Sequence, residues 1–443
     1  MSMHPIPTGP SRRSVLGYGL ATAGAASLAM TGCAPSGGAP SASATPEGDV
    51  PLTMSAYGSN ARQRKLQQVY ALYAKKHGGK VGLELLSNDA YAQKLATQIA
   101  GGAAADTLAL FQNLVAQYAV KNALAPLDRY APKTLGLAHF DKASIAGGVI
   151  EGKRVALPLG DNAYGVIYDK GALDAIGMSV PEPGHTWDEF ITFANDVTKK
   201  SPSGHYGTMD DSSDFNGFEI FVRQRGKELY KDGKLGFSQA DMEAWFEIWA
   251  ELRKSGAAPP GDLTVQTTTG GFGNSLLVQG KAATFFIYPN VLSSFQALTK
   301  SELAVTTMPM PSAARSGHFV RASNWVAVNA RSRYPADAAA LIDFMLNDEL
   351  AARVLQAEFA APPNLELRKA ITYDRADRLF VDYVDLVAKE FARPVPTLAE
   401  EFPKGSPQVM TTFVTVSQAI ATGQQSVAAG TDSFFSQAGG FLA

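Results

Sequence analysis

The stretch LTMSAYGSNARQRKLQQVYALYAKKHGGKVGLELL, from Leu52 to Leu86, decides the fold. Leu52 to Ala56 is a short apolar run of strand length. Leu66, Val69, Tyr70 and Tyr73 then recur at helical spacing, and Val81 to Leu86 is a second strand-like run. Short apolar runs alternating with amphipathic stretches are the pattern of an α/β protein, and it continues outward. Tyr91 to Ala100 predicts a helix, Thr107 to Phe111 a third strand, and Gln117 to Asn122 closes a short helix before the turn at Ala125-Pro126-Leu127-Asp128. Val149-Ile150, a turn over Glu151 to Arg154, and Val155 to Leu159 predict a hairpin.

Further along, Thr186-Trp187-Asp188-Glu189 is a capping box. The Thr186 hydroxyl is placed to accept from the third helical amide, and Glu189 to reach back to the cap residue. Phe190, Ile191, Ala194 and Val197 follow as the buried face, and Lys199 and Lys200 suit the negative end of the helix dipole. Asp241 to Lys254, Pro335 to Asn347 and Asp348 to Leu355 predict helices. Ala283 to Tyr288, Ala304 to Met308 and Trp325 to Asn329 predict strands. Trp187, Trp245 and Trp249 sit at helical spacing and are expected in a core.

The chain has 443 residues, with 41 acidic against 39 basic side chains, so phosphate neutralisation has nothing to drive it and nucleic acid is not an expected partner. A single cysteine, Cys33, excludes an internal disulfide and a thiolate metal cluster. Residues 1–32 form an export signal: Arg12 and Arg13 precede an uncharged Gly/Ala-rich run, in the manner of a twin-arginine leader. Met30-Thr31-Gly32-Cys33 looks like a bacterial lipobox, which makes Cys33 the lipidated residue. Residues 33–50 then supply a flexible linker. Loss of 1–32 removes two arginines and no acid, leaving 37 basic against 41 acidic side chains, a net of −4.

Signs of catalysis are sparse. None of the six histidines has a paired metal spacing, Gly280-Lys281-Ala282 lacks the rest of a P-loop, and Gly270-Gly271-Phe272-Gly273 fails the dinucleotide pattern. Asp210 to Gly217 is acidic like a calcium loop, but Ser212 and Arg223 stand at its first and last ligand positions. No metal and no cofactor is expected.

Several segments together resemble the extracellular solute-binding lipoproteins of ABC importers, in the sugar-binding group (family 1, maltose-binding-protein-like). They are Asn122 to Asp128, Glu151 to Pro158, Tyr164 to Gly177, Thr186 to Phe190, Val278 to Ala283, Met308 to Pro311, and Ala338 to Leu350. Asp106 lies in Ala-Asp-Thr where the family often has Pro-Asp-Val, and Asp169 stands where asparagine is common. The resemblance implies a two-lobed periplasmic-binding-protein-like fold (type II), with the ligand cleft between lobes joined by hinge strands. Placed from the motifs, the first lobe spans 50–160 plus 324–372 and the second 161–323 plus 373–443.

A sugar needs bidentate acceptors and donors for its hydroxyls and aromatic faces for its C–H surfaces. Such residue types just after predicted strands are the candidate ligand contacts. Tyr57 and Asn60 follow the first strand and Asn113 the third, each with a turn or cap as competing reading. Asp161, Asn162 and Tyr164 stand at the first crossing between lobes, where the family turns polar groups to the cleft. Asp211 and Asp214 follow the strand-like Tyr206 to Met209. Tyr288 stands where the family often has a stacking aromatic, and Phe272 offers a second ring. Asn324 and Trp325 lie at the second crossing, Trp325 as sugar platform or as hinge packing. Arg321 either donates to hydroxyls or pairs with an acid.

The leading expectation is therefore a receptor, not an enzyme, that captures a sugar or oligosaccharide and delivers it to the transmembrane permease subunits of an ABC transporter. It is expected to be exported, held by lipid to the outer face of the cytoplasmic membrane, and monomeric. A binding protein for a polyamine or other small cation is one alternative, since Asp161, Asp211 and Asp214 are suited to neutralise amines. A secreted polysaccharide-degrading enzyme with paired aspartates is the other.

Overall fold

The computed structural model describes residues 44–267, 271–395 and 397–442. The expected export signal, the expected lipidation at Cys33 and most of the expected linker fall outside the described residues. The described strands are β1 (Pro51–Tyr57), β2 (Lys80–Leu86), β3 (Thr107–Leu110), β4 (Val149–Ile150), β5 (Lys153–Arg154), β6 (Leu157–Asn162), β7 (Gly165–Asp169), β8 (Tyr230–Lys231), β9 (Lys234–Leu235), β10 (Thr284–Ile287), β11 (Leu303–Thr306) and β12 (Arg321–Val328).

The first lobe is built on a five-stranded sheet in the order β2-β1-β3-β12-β6. β1 runs parallel to both β2 and β3, because the helices Asn60–His77 and Asn88–Gly101 make the crossovers that parallel strands require. Leu66, Val69, Tyr70 and Tyr73 are the buried face of the first of these helices, as their spacing predicts. β12 enters antiparallel between β3 and β6. The second lobe has a three-stranded sheet with β7 central and antiparallel to β10 and β11. Its core holds Trp245 and Trp249, fully buried, with Trp187 packed edge-on to Trp245 at 6.0 Å between ring centroids. The Thr186–Glu189 capping box forms as read.

Two sequence expectations are revised. The hairpin pairs Val149-Ile150 with Lys153-Arg154, not with Val155 to Leu159. The latter run is apolar because β6, which takes most of it, joins the main sheet as the edge strand beside β12 and is buried throughout. The third crossover helix occupies Gln112–Ala119, earlier than Gln117 to Asn122.

Chain crossings at β6–β7 and β11–β12 join the lobes, and the C-terminal segment crosses again to put Val409, Phe413 and Phe434 in the second-lobe core. β6 passes into β7 through Ala163-Tyr164, and the chain returns from β11 to β12. At the return, the β12–β6 register shifts around Ser323, a bulge where the Asn162 side-chain amide donates to Ser323 Oγ at 2.8 Å. A separate core around helix Arg375–Leu386, with Ala163, Phe380 and Tyr383, packs at the crossing. The Tyr383 hydroxyl donates to the Tyr164 carbonyl at 2.6 Å. The helix Leu398–Glu401 runs back to the first lobe, where Leu398 is buried in that core and Phe402 packs against it.

Candidate functional site

A cavity of about 290 Å³ lies where these pieces meet. Its walls come from the first lobe through Gln112 and Asn113, from the second through Phe215, Glu219 and Tyr230, and from the returning segment through Glu401 and Phe402. Arg321, the first residue of β12, stands at the crossing and lines it too. The Gln112 amide donates to the Ala322 carbonyl at 2.7 Å, which ties the first-lobe wall to the hinge strand.

Arg321 organises the polar part. Its Nη1 donates to Glu219 Oε1 at 3.2 Å and to Glu401 Oε1 at 3.1 Å. Its Nη2 donates to Glu219 Oε2 at 3.1 Å and to Tyr288 Oη at 2.8 Å. Burial opposes the charge on Arg321, and Glu219, Tyr288 and Glu401 outweigh it, so the guanidinium is held more firmly charged than usual. Burial pushes the Glu401 carboxyl up to about 7 against the pull of Arg321. Glu228, on the same wall, is also raised by burial and pairs with Arg223. The Phe319 ring lies 4.6 Å from the Arg321 guanidinium carbon, completing its cover.

The helix Phe215–Gln224 presents Glu219 because Asp214 caps its N-terminus, accepting from the Asn216 amide at 2.9 Å. Asp214 also accepts from the Tyr164 hydroxyl, and the Tyr164 ring meets Tyr288 edge-on at 5.2 Å. Burial raises both Tyr164 and Asp214 above their ordinary values. A continuous row, Asp214, Tyr164, Tyr288, Arg321, thus links the helix cap to the cavity. Gly217 lets it fit: a Cβ there would stand 3.0 Å from Tyr164 Oη and 3.3 Å from the Trp245 ring.

The candidates read from sequence divide accordingly. Asn113 lines the cavity. Arg321 takes the acid-pairing role. Tyr164, Asp214 and Tyr288 stand behind the wall. Tyr57 and Asn324 are buried and bonded to one another, with Tyr57 stacked on Phe111 at 3.8 Å. Asn60 is exposed in the first turn of its helix. Asp161 is buried in an ion pair with Arg368 Nη2 at 2.5 Å and accepts from the Ser144 hydroxyl. Asn162 is spent on Ser323 and on the next amide. Asp211 accepts from the Phe286 amide at 3.0 Å, and burial pushes it well up. Asp211 and Phe272 line a different cavity of about 280 Å³, within the second lobe, with Met209, Phe285 and Phe295.

Trp325 requires a correction. It is 1% exposed, in the first-lobe core, with its ring against Gly147 and Gly148. A stacking platform needs an open face, and this ring has none.

Glu219, Glu228, Tyr230, Glu401 and Phe402 follow no predicted strand and so fall outside the sequence reading: they lie on a helix, the loop and short hairpin after it, and the C-terminal segment. The usable signal was Glu219 itself, a lone carboxylate inside the apolar run Phe-Asn-Gly-Phe-Glu-Ile-Phe-Val.

Comparison with known proteins places this geometry. The family described as bacterial extracellular solute-binding protein matches residues 68–380. A curated binding protein of Brucella abortus is 22% identical over 337 residues, covering 75% of this chain and 80% of that protein. Among solved structures, an extracellular solute-binding protein family 1 member from Alicyclobacillus acidocaldarius superposes with a TM-score of 0.73 at 23% identity, over 89% of this chain and 99% of that one. An oligogalacturonide-binding protein of Yersinia enterocolitica, in complex with saturated digalacturonic acid, gives 0.76 at 19%, over 89% and 98%. An ABC substrate-binding protein of Listeria monocytogenes, in complex with cycloalternan, gives 0.71 at 19%, over 88% and 98%. These likenesses carry the two-lobed fold.

Proposed function

This chain belongs to the bacterial extracellular solute-binding proteins, and from that premise we propose that it is the capture component of an ABC importer for a sugar or oligosaccharide. The observation that supports the reading most is the cavity at the lobe crossing. It combines carboxylate acceptors (Glu219, Glu401), a guanidinium (Arg321) and aromatic faces (Phe215, Phe402), the mixture that hydroxyls and C–H surfaces require. The Yersinia and Listeria proteins of the same fold, crystallised with carbohydrates, agree with it.

The mechanism is capture, closure and release. Walls from both lobes meet a ligand together, so closing about the crossings excludes water from it. The ligand passes unchanged to the transmembrane permease subunits, while lipid on Cys33 holds the monomeric receptor at the outer face of the cytoplasmic membrane. Hydrolysis by paired aspartates finds no support in the geometry. Asp161 is committed to Arg368, and neither Asp211 nor Asp214 lines the lobe-crossing cavity.

A thermal-shift screen of the purified chain against mono- and oligosaccharides and polyamines tests this, because a ligand specific for the folded state raises the melting temperature. A rise with one sugar class, with the sugar recovered intact, is the expected result. No rise with any sugar, or consumption of the sugar, would sink the reading.

A further inference from the structure

The lobe-crossing cavity has two buried acids on one guanidinium at its centre. One guanidinium, Arg321, serves two carboxylates, Glu219 and Glu401, at 3.1 Å each, and all three side chains are less than a tenth exposed. Both terminal nitrogens of Arg321 are fully engaged by these acids and by Tyr288. The neighbouring pair brings this group no second cation. Arg223 neutralises Glu228 and spends its other nitrogens on the carbonyls of Gly317 and Pro394. Glu400, also on the wall, is exposed and accepts from the Thr397 amide and hydroxyl, so it takes no part in the buried group. A buried charge without a counter-charge is costly, so one of the two acids is balanced by the proton that burial holds on Glu401, or by an outside cation that takes that proton's place.

Two polar atoms on the same walls also lack partners. They are Arg321 Nε, a donor, and the hydroxyl of Tyr230, which is 6% exposed. Burial and the nearby Glu219 keep Tyr230 protonated. A ligand that satisfies them must bring an acceptor for Nε–H and a hydroxyl partner for Tyr230, beside a positive charge in place of the Glu401 proton.

We propose that the sugar taken by this cavity carries a protonated amine, which seats against the Glu219–Glu401 pair while its hydroxyls meet Arg321 Nε and Tyr230. The inference rests on the sugar-receptor reading above. It also sets this chain apart from a uronate receptor. Among the described residues, Arg321 is the only basic side chain on the wall, and its terminal nitrogens are spent, so a ligand carboxylate meets acids without a free counter-ion.

Titration calorimetry on the purified chain decides it, with spermidine and four sugars of matched length: glucosamine oligosaccharides bearing free amines, their N-acetylated counterparts, glucose oligomers and oligogalacturonate. Free-amine oligomers should bind at least about tenfold tighter than the N-acetylated or glucose oligomers, and the advantage should shrink with added salt. Oligogalacturonate should bind weakest. Glu401→Gln should narrow the free-amine advantage; if that variant does not fold, the comparison among ligands on the unaltered chain still decides. Equal binding of the N-acetylated or glucose oligomers, or tightest binding of oligogalacturonate, overturns the inference and leaves the sugar receptor standing. Binding of spermidine with no sugar bound overturns both, as does the absence of any binding.

Discussion

Arg321 carries the largest electrostatic load of any single residue at the cavity, and removing it should show this. Arg321→Met strands Glu219 and Glu401 in a buried site, so an unfolding titration should find a loss of roughly 3–5 kcal/mol, together with loss of ligand. A gain in stability, as when a well-packed apolar group replaces a balanced pair, would show that the two acids are not charged together. Glu401 gives a pH signature. Its carboxyl ionises near the ordinary 4.5 when unfolded but near about 7 when folded, so between these values the folded chain holds the extra proton. Stability from this group therefore falls as pH rises through the window. The melting temperature of Glu401→Gln should be less pH-sensitive there than that of the unaltered chain. At this scale the sequence was partly legible. Arg321 stood open between a hydroxyl donor and an acid partner, and only the fold brings Glu219 and Glu401 to it from 102 and 80 positions away. Asp161 had the right chemistry and lies at the crossing, but Arg368 claims it, and nothing local in the sequence announces that pairing.

Elements were more readable than contacts, because their signals are local. The Thr186–Glu189 box forms as read, and Thr186→Ala should cost about 1 kcal/mol by denaturant unfolding with no effect on ligand affinity. Helix Asn60–His77 buries the four side chains its spacing selects. The hairpin was misjudged because an apolar run of strand length does not tell which strand it pairs with, and β6 joined the main sheet instead of β4. Trp325 shows the same ambiguity at one position. A tryptophan at a hinge strand suits either stacking or packing, and its neighbours Gly147 and Gly148 are what decide. A Cβ at Gly148 would stand 2.1 Å from the Ala156 carbonyl oxygen and 2.9 Å from the Trp325 ring, so the chain there is closed tightly around the indole. Trp325→Ala should therefore destabilise by about 3–5 kcal/mol. Trp325→Phe should leave ligand affinity close to unchanged, which a sugar platform would not tolerate.

For the whole molecule, the two lobes became visible in the sequence only through resemblance, since strand and helix signals do not say which sheet an element joins. The returning segment Leu398 to Phe402 has a helix-start signal in the Thr397–Glu400 capping box but none for its place in the fold, where it packs Leu398 into the first-lobe core and turns Glu401 to Arg321. The cavity is thus assembled from positions near 112, 219, 230, 321 and 401, and the proposed function has a ligand there touch both lobes at once. Hydrogen–deuterium exchange of the purified chain, with and without the sugar found in the screen, tests that claim most directly. The account predicts added protection together at the start of helix Gln112–Ala119, in helix Phe215–Gln224, at the first residues of β12 and in the segment Leu398 to Phe402. Protection confined to one lobe, or gathered around Met209, Phe285 and Phe295 in the second-lobe cavity, would contradict it.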